Sequence, residues 1–282
     1  MKNINLIKLP MKIVILPPKG WSFPDFTEVL HYHELMYFFV YRDLKAKYKH
    51  TALGLAWAFI PPIFNMVLYT LLFGLLAKLP SEGLPYVLFL VTGQTAWGTF
   101  SNCFSSIANS MRMAASQTTK VYFPRLIVPL YSVVVSFINS LPGYVVLVIL
   151  MVWFQVPIRW QFLTLPFFIL LSMITAFGVG LWITSLSIKY RDVENIQGML
   201  IQAWLYASPV VYTPQMLPDG LIKDLYWFNP MAVVTQGYRY ALLGSDPVPM
   251  MNLVIATILV ILLLISGLIY FHQVEQTVID LM

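Results

Sequence analysis

The sequence predicts an all-α, polytopic membrane protein with six transmembrane helices. Three observations carry that reading. Hydrophobic residues make up 59% of the 282 and charged residues only 10%, against about 25% charged in soluble chains. Six stretches are long and apolar enough to cross a bilayer core, which takes about 20 residues. Lysine and arginine gather on alternate connecting segments. So much apolar surface does not fit inside one water-soluble core, which excludes a soluble enzyme, a disordered chain and a nucleic-acid binder. With Cys103 the single cysteine, an internal disulfide and a multi-cysteine metal site are excluded too.

Two regions follow. Residues 1–50 form a cytoplasmic N-terminal segment, and residues 51–282 the six-helix membrane domain. Within the first, the apolar run 13–16 is too short for a cleaved signal and ends at Pro17-Pro18. Residues 25–50 are expected to be one helix, with Phe26, Leu30, Tyr37, Tyr41, Leu44 and Tyr48 at near-helical spacing. Arg42, Lys45, Lys47 and Lys49 cluster at its C-terminal end, where the helix dipole and anionic lipid both favour cations. An interfacial helix lying on the cytoplasmic leaflet is expected.

The six expected spans are 53–76, 84–110, 127–151, 162–186, 195–213 and 250–271, and none contains Asp, Glu, Lys, Arg or His. Six crossings put both termini on one side of the membrane. That side would hold thirteen of the 17 Lys and Arg residues; the other would hold Lys78, Arg159, Lys223 and Arg239. The positive-inside bias then makes both termini cytoplasmic. The net charge of +5 is a topology signal.

Residues 214–249 form the longest outside segment. Asn229-Pro230 supplies an N-cap and a first-turn proline, and Gly244 a stop. Between them Met231, Val234, Tyr238 and Leu242 share a face, which predicts a short amphipathic helix on the outer surface. A second short piece is expected within residues 215–227.

Spans without ionisable groups lack the relays that ion-coupled transporters use. No G-x-x-x-x-G-K-[ST] loop is present either, so a transporter built on this chain needs a partner that handles ATP. The spans do carry neutral polar groups and rings at helical spacing. Trp57, Pro61, Asn65 and Tyr69 recur every four residues in the first; Gln94, Trp97, Ser101, Phe104 and Ala108 follow in the second; Gln197, Trp204 and Ser208 in the fifth. Such faces suit sugars, whose C–H faces stack on rings while their hydroxyls exchange hydrogen bonds. The same residues also suit plain helix packing in a bilayer. His31 and His33 are two apart on a helix and point away from each other, so they do not grip one metal ion. Arg191 and Asp192, adjacent in a short loop, suit docking or capping rather than catalysis, and Cys103 suits packing.

Four stretches carry a resemblance: Arg42-Asp43-Leu44-Lys45-Ala46-Lys47-Tyr48-Lys49-His50-Thr51-Ala52-Leu53-Gly54-Leu55-Ala56-Trp57; Val121-Tyr122-Phe123-Pro124-Arg125-Leu126-Ile127-Val128-Pro129-Leu130; Lys189-Tyr190-Arg191-Asp192-Val193; and Asn229-Pro230-Met231 with Gly237-Tyr238-Arg239-Tyr240. Together they resemble the permease subunit of type-2 ABC exporters for bacterial surface polysaccharides such as O-antigen, capsule and teichoic acid. One departure is Lys47, where an arginine is expected; charge is kept and a bidentate contact is lost.

The resemblance implies two permease copies paired with two ATP-binding cassette subunits in the bacterial inner membrane. It implies no cofactor on this chain, since ATP and Mg belong to the ATPase. The cargo would be a lipid-linked polysaccharide. Trp57, Asn65, Tyr69, Gln94, Trp97, Ser101, Phe104 and Trp204 would line the translocation path. Residues 108–122 match the coupling helix, which with the loop 189–195 makes Arg112, Lys120, Tyr122, Arg125, Arg191 and Asp192 ATPase contacts. Arg42, Lys45, Lys47 and Lys49 would meet the lipid head group of the arriving substrate. Asn229, Pro230, Tyr238 and Arg239 would belong to the outer gate. Alternatives are a type-2 ABC permease for a drug or lipid, and a membrane enzyme acting on lipid-linked sugars; the second would need catalytic groups, and Asp43, Asp192 and Glu194 are not clustered.

Overall fold

The computed structural model describes residues 24, 26–49, 53–112, 123–190, 192–218 and 220–279. Among them every regular element is helical. Four helices are long and apolar enough to cross a membrane: Gly54–Leu76, Ile127–Trp153, Trp160–Lys189 and Met250–Glu275.

The N-terminal helix is broken. α1 (Phe26–His31) and α2 (His33–Tyr48) meet at Tyr32, so the single helix expected over 25–50 becomes two. Leu30, Tyr37 and Tyr41 from the expected apolar stripe stay exposed, at 70%, 74% and 54%. The opposite face holds the protein: Phe39 packs edge-on against Phe123 and at a tilt against Tyr131.

The first span changes geometry twice. A 3₁₀ turn (Gly54–Ala58) leads into α3 (Ile60–Tyr69), which starts on Pro61-Pro62, where a missing N–H costs nothing. A π-helical stretch (Thr70–Leu76) completes it, and no residue of the three is buried.

α4 (Tyr86–Ala108) is the axis of the fold. Its 23 residues reach about 34 Å, but threonines, serines and glycines keep its apolarity low. It packs on α5 (Ile127–Trp153), α6 (Leu165–Lys189) and the later helix α9 (Pro230–Leu243). Lipid offers helices no hydrophobic gain for associating, so close packing of small residues does the holding. α6 crosses the last helix, α10 (Met250–Ile279), where Gly178 and Gly267 meet: a Cβ on Gly267 would lie 2.6 Å from the Gly178 carbonyl oxygen.

Two expectations need correction. The fifth apolar segment is helical only over α7 (Val193–Tyr206), about 21 Å of helix; residues 207–213 continue as a non-helical strap. And α9, expected on the surface with one apolar face, is buried on nearly every side. α4 and α6 clasp it, and Gly237 lets the Phe168 ring close onto its backbone. Both ends are as the sequence implies: Asn229 caps the first turn, Pro230 opens it, and Gly244 ends it at φ +70°. A short α8 (Leu221–Trp227) precedes it.

Candidate functional site

α3, α4 and α5 enclose a cavity of about 770 Å³. α4 gives it Gln94, Trp97, Ser101 and Asn102; the first span gives Trp57, Pro61, Asn65 and Tyr69; α5 gives Ser136, Asn139 and Ser140. From Val91 to Ser106, both in its wall, it follows about 22 Å of α4. Its lining is rings, amides and hydroxyls, with Lys47 the charged side chain among the described residues.

Hydrogen bonds tie the walls together. Asn102 Nδ2 donates to Ser140 Oγ at 3.2 Å. Gln94 Nε2 donates to the Asn65 carbonyl at 3.4 Å. Lys47 Nζ reaches from α2 to donate to Asn139 Oδ1 at 2.9 Å. Partial burial pushes the Lys47 pKa down, because the ammonium loses water. An amide and a hydroxyl held this way keep lone pairs and N–H groups for a guest that both donates and accepts.

Six of the eight residues expected along a path therefore share one hollow: Trp57, Asn65, Tyr69, Gln94, Trp97 and Ser101. Phe104 and Trp204 lie elsewhere. Phe104 is fully buried and stacked on Phe100, with centroids 5.9 Å apart. Trp204 sets its edge on Phe100 and donates Nε1 to Asn229 Oδ1 at 2.8 Å. Both rings complete the helix interface behind the cavity. The sequence reading missed Asn102, Ser136, Asn139 and Ser140. A signal was present: Ser132, Ser136 and Ser140 recur every four residues in an otherwise apolar segment.

The basic cluster divides. Arg42 is bound on the protein side, with Nη2 2.7 Å from Asp43 Oδ1 and its guanidinium 4.9 Å from the Phe39 ring centre. Lys47 faces the cavity. Lys45 and Lys49 border a shallow hollow with Tyr41, Leu44 and Leu55. Thus the four cations, grouped together in the sequence, face three different environments.

Among the expected ATPase contacts, Lys120, Tyr122 and Arg191 lie outside the described residues. Arg112 ends the described stretch after α4 and is exposed. Arg125 donates its backbone N–H to Glu275 Oε1 at 3.0 Å, which joins the start of α5 to the end of α10. Asp192 is exposed at the N-cap of α7 and makes no side-chain capping bond.

Three of the gate candidates are buried, and Asn229 is half-buried. Asn229 Oδ1 accepts from Met231 N at 3.0 Å as well as from Trp204, and Nδ2 donates at 3.0 Å to both the Ala207 carbonyl and Ser208 Oγ. Pro230 is buried beside it. Tyr238 shares a hydroxyl contact of 2.7 Å with Tyr144, which shares one of 2.9 Å with Thr99. Arg239, expected on the outside, is completely buried: its Nη2 donates to the Val210 carbonyl at 3.0 Å, and its guanidinium carbon lies 3.4 Å from the Phe89 ring centre. A guanidinium over a ring face keeps a favourable electrostatic contact when water is excluded.

Among the described residues no cluster of three His, Cys, Asp or Glu side chains is placed to hold a metal ion. The family described as ABC-2 type transporter matches residues 34–243. The chain is 28% identical over 256 residues to the O-antigen export system permease protein RfbA of Myxococcus xanthus, covering 88% of this chain and 96% of that protein. A Klebsiella pneumoniae protein of the same name is 27% identical over 202 residues, 70% of this chain and 76% of its own. The inner membrane transport permease YadH of Escherichia coli strain K12 is 24% identical over 205 residues, 68% of this chain and 78% of its own. Since the family match spans most of the chain, from within α2 to the last residue of α9, the protein belongs to the ABC-2 type transporter family.

Proposed function

We propose that this chain is the transmembrane subunit of an ATP-driven exporter that carries a lipid-linked, O-antigen-like polysaccharide from the cytoplasmic to the outer face of the bacterial inner membrane. The observation that carries the reading is the cavity: ring faces from Trp57, Tyr69 and Trp97, amides from Asn65, Gln94, Asn102 and Asn139, and hydroxyls from Ser101, Ser136 and Ser140. A sugar chain needs that mixture of apolar faces and neutral donors and acceptors. Relatives named as O-antigen export permeases add support.

In this reading α4 and α7, with the strap after it, complete six crossings, and both termini are cytoplasmic. Two copies of the chain form the path. Two ATPase subunits, holding ATP and Mg, dock on the segment 108–122 with Arg112, Lys120, Tyr122 and Arg125, and on Arg191 and Asp192. ATP binding drives export by favouring one permease conformation over another. Lys45, Lys47 and Lys49 attract the anionic head group of the carrier lipid. Asn229, Pro230, Tyr238 and Arg239 belong to the outer gate.

The test is depletion of the chain in its host, with lipid-linked glycan followed on each face of the inner membrane. Glycan accumulating inside and disappearing outside, restored by the intact gene, is the expected result. Unchanged surface glycan would overturn the reading and favour a drug or lipid as cargo.

A further inference from the structure

Val210, in the strap 207–213, forms part of the cavity wall. Two side chains pin the strap through neighbouring carbonyls. Arg239 of α9 donates Nη2 to the Val210 oxygen at 3.0 Å, and Tyr86 of α4 donates its hydroxyl to the Val211 oxygen at 2.9 Å. Gly93 makes the contact possible: a Cβ there would lie 2.6 Å from the Val210 oxygen and 3.0 Å from Arg239 Nη2. The strap has no helical ladder of its own; Asn229 holds its start through the Ala207 carbonyl and Ser208 Oγ, and the Arg239 and Tyr86 bonds hold its middle.

Arg239 is only partly used. Its Nε and Nη1 are buried without a hydrogen-bond partner. Glu82, in the turn between the first span and α4, has a buried Oε2 that is also unpartnered. Glu82 heads the groups whose charge acts on the guanidinium, with Tyr226, Tyr86 and Tyr212 also facing it. A buried cation and a half-buried carboxylate, each with idle hydrogen-bonding atoms and no ion pair between them, are set for a partner exchange: desolvated charges are costly until they meet.

We propose that Arg239 is the latch of the outer seal and Glu82 its alternative partner: on the Val210 carbonyl the guanidinium holds the strap in the cavity wall, and on the Glu82 carboxylate it lets the strap go. This rests on the cavity being the export path. Both are positioning residues, since neither lines the cavity. The exchange gives the seal two discrete arrangements, which an ATP-driven cycle can bias.

The test uses the full-length chain in its host with Ser101→Cys as a reporter inside the cavity. Cys103 is fully buried, so the chain without the reporter is the blank. A membrane-impermeant thiol reagent is applied to spheroplasts, which present the outer face, and to inside-out vesicles, which present the inner one. The parent is expected to react from inside and slowly from outside. Arg239→Gln should speed outside labelling about tenfold, the shift expected from losing one hydrogen bond to a charged group. Arg239→Lys, which keeps one donor, should fall between them. Glu82→Gln should leave outside labelling at or below the parent rate and reduce export, because the latch has no second partner. If Arg239→Gln does not reach the membrane, Glu82→Gln decides: outside labelling faster than the parent overturns the latch. So does equal labelling of parent and Arg239→Gln. A reporter reached from neither face overturns the path reading, and the latch with it.

Discussion

At the scale of single residues, position relative to the cavity separates side chains that look alike in the sequence. Trp57 is 52% exposed and lines the hollow, whereas Phe104 is fully buried against Phe100. Trp57→Ala should therefore reduce export while leaving thermal stability nearly unchanged. Phe104→Ala should remove a packed ring and cost about 3–5 kcal/mol. Thermal unfolding in detergent, read beside surface glycan, checks the pair; an equally destabilised Trp57→Ala would mean that its ring is a packing element. Helical spacing puts each ring on a patterned face of its own span, because steps of three and four do not distinguish a face toward a hollow from a face toward a neighbouring helix. The burial of Arg239 is hidden from the sequence for a related reason. A charge between apolar segments reads as a loop residue, and only the Phe89 ring, the space at Gly93 and the Val210 carbonyl make burial tolerable.

Whole elements were legible where local chemistry alone sets them. Asn229-Pro230 and Gly244 mark the ends of α9 because capping and a left-handed stop depend on two or three adjacent residues. What surrounds the helix depends on residues far away in sequence: Phe168 against Gly237, and α4 along its other side. That is why the sequence predicts a surface helix where the structure buries one. The same cap also shows how α9 is tied to the rest. Asn229 bonds to its own first turn, to Trp204 of α7, and to Ala207 and Ser208 of the strap. Replacing it with alanine removes a cap, worth about 1 kcal/mol, and takes its acceptor from the half-buried indole N–H of Trp204, at about 1 kcal/mol more. Asn229→Ala should lower the unfolding temperature clearly, and Asn229→Asp, which keeps the accepting oxygen, should recover part of it. A melting point unchanged by Asn229→Ala would show that α9 is held by packing alone.

Across the whole molecule, the first span stands apart. No residue from Gly54 to Leu76 is buried in its helical segments, and Phe64, Leu68, Leu72 and Leu76 are exposed along it. α10 also shows apolar side chains, Ile258 and Leu262 among them, but its other face is packed on α6 along its length. A lipid-facing helix needs one open face; a helix open on nearly every side has too few protein contacts to hold one wall of a cavity. Trp57, Asn65 and Tyr69 nevertheless form such a wall. A second copy packed on the first span would hold that wall and seal the hollow from lipid, and paired subunits commonly meet through the same patch on each. Cysteines at Phe64 or Leu68 should then cross-link two copies in native membranes, while cysteines at Ile258 or Leu262 should not. Cross-links that favour the α10 positions would put the pairing face on the opposite side and leave the first span to lipid.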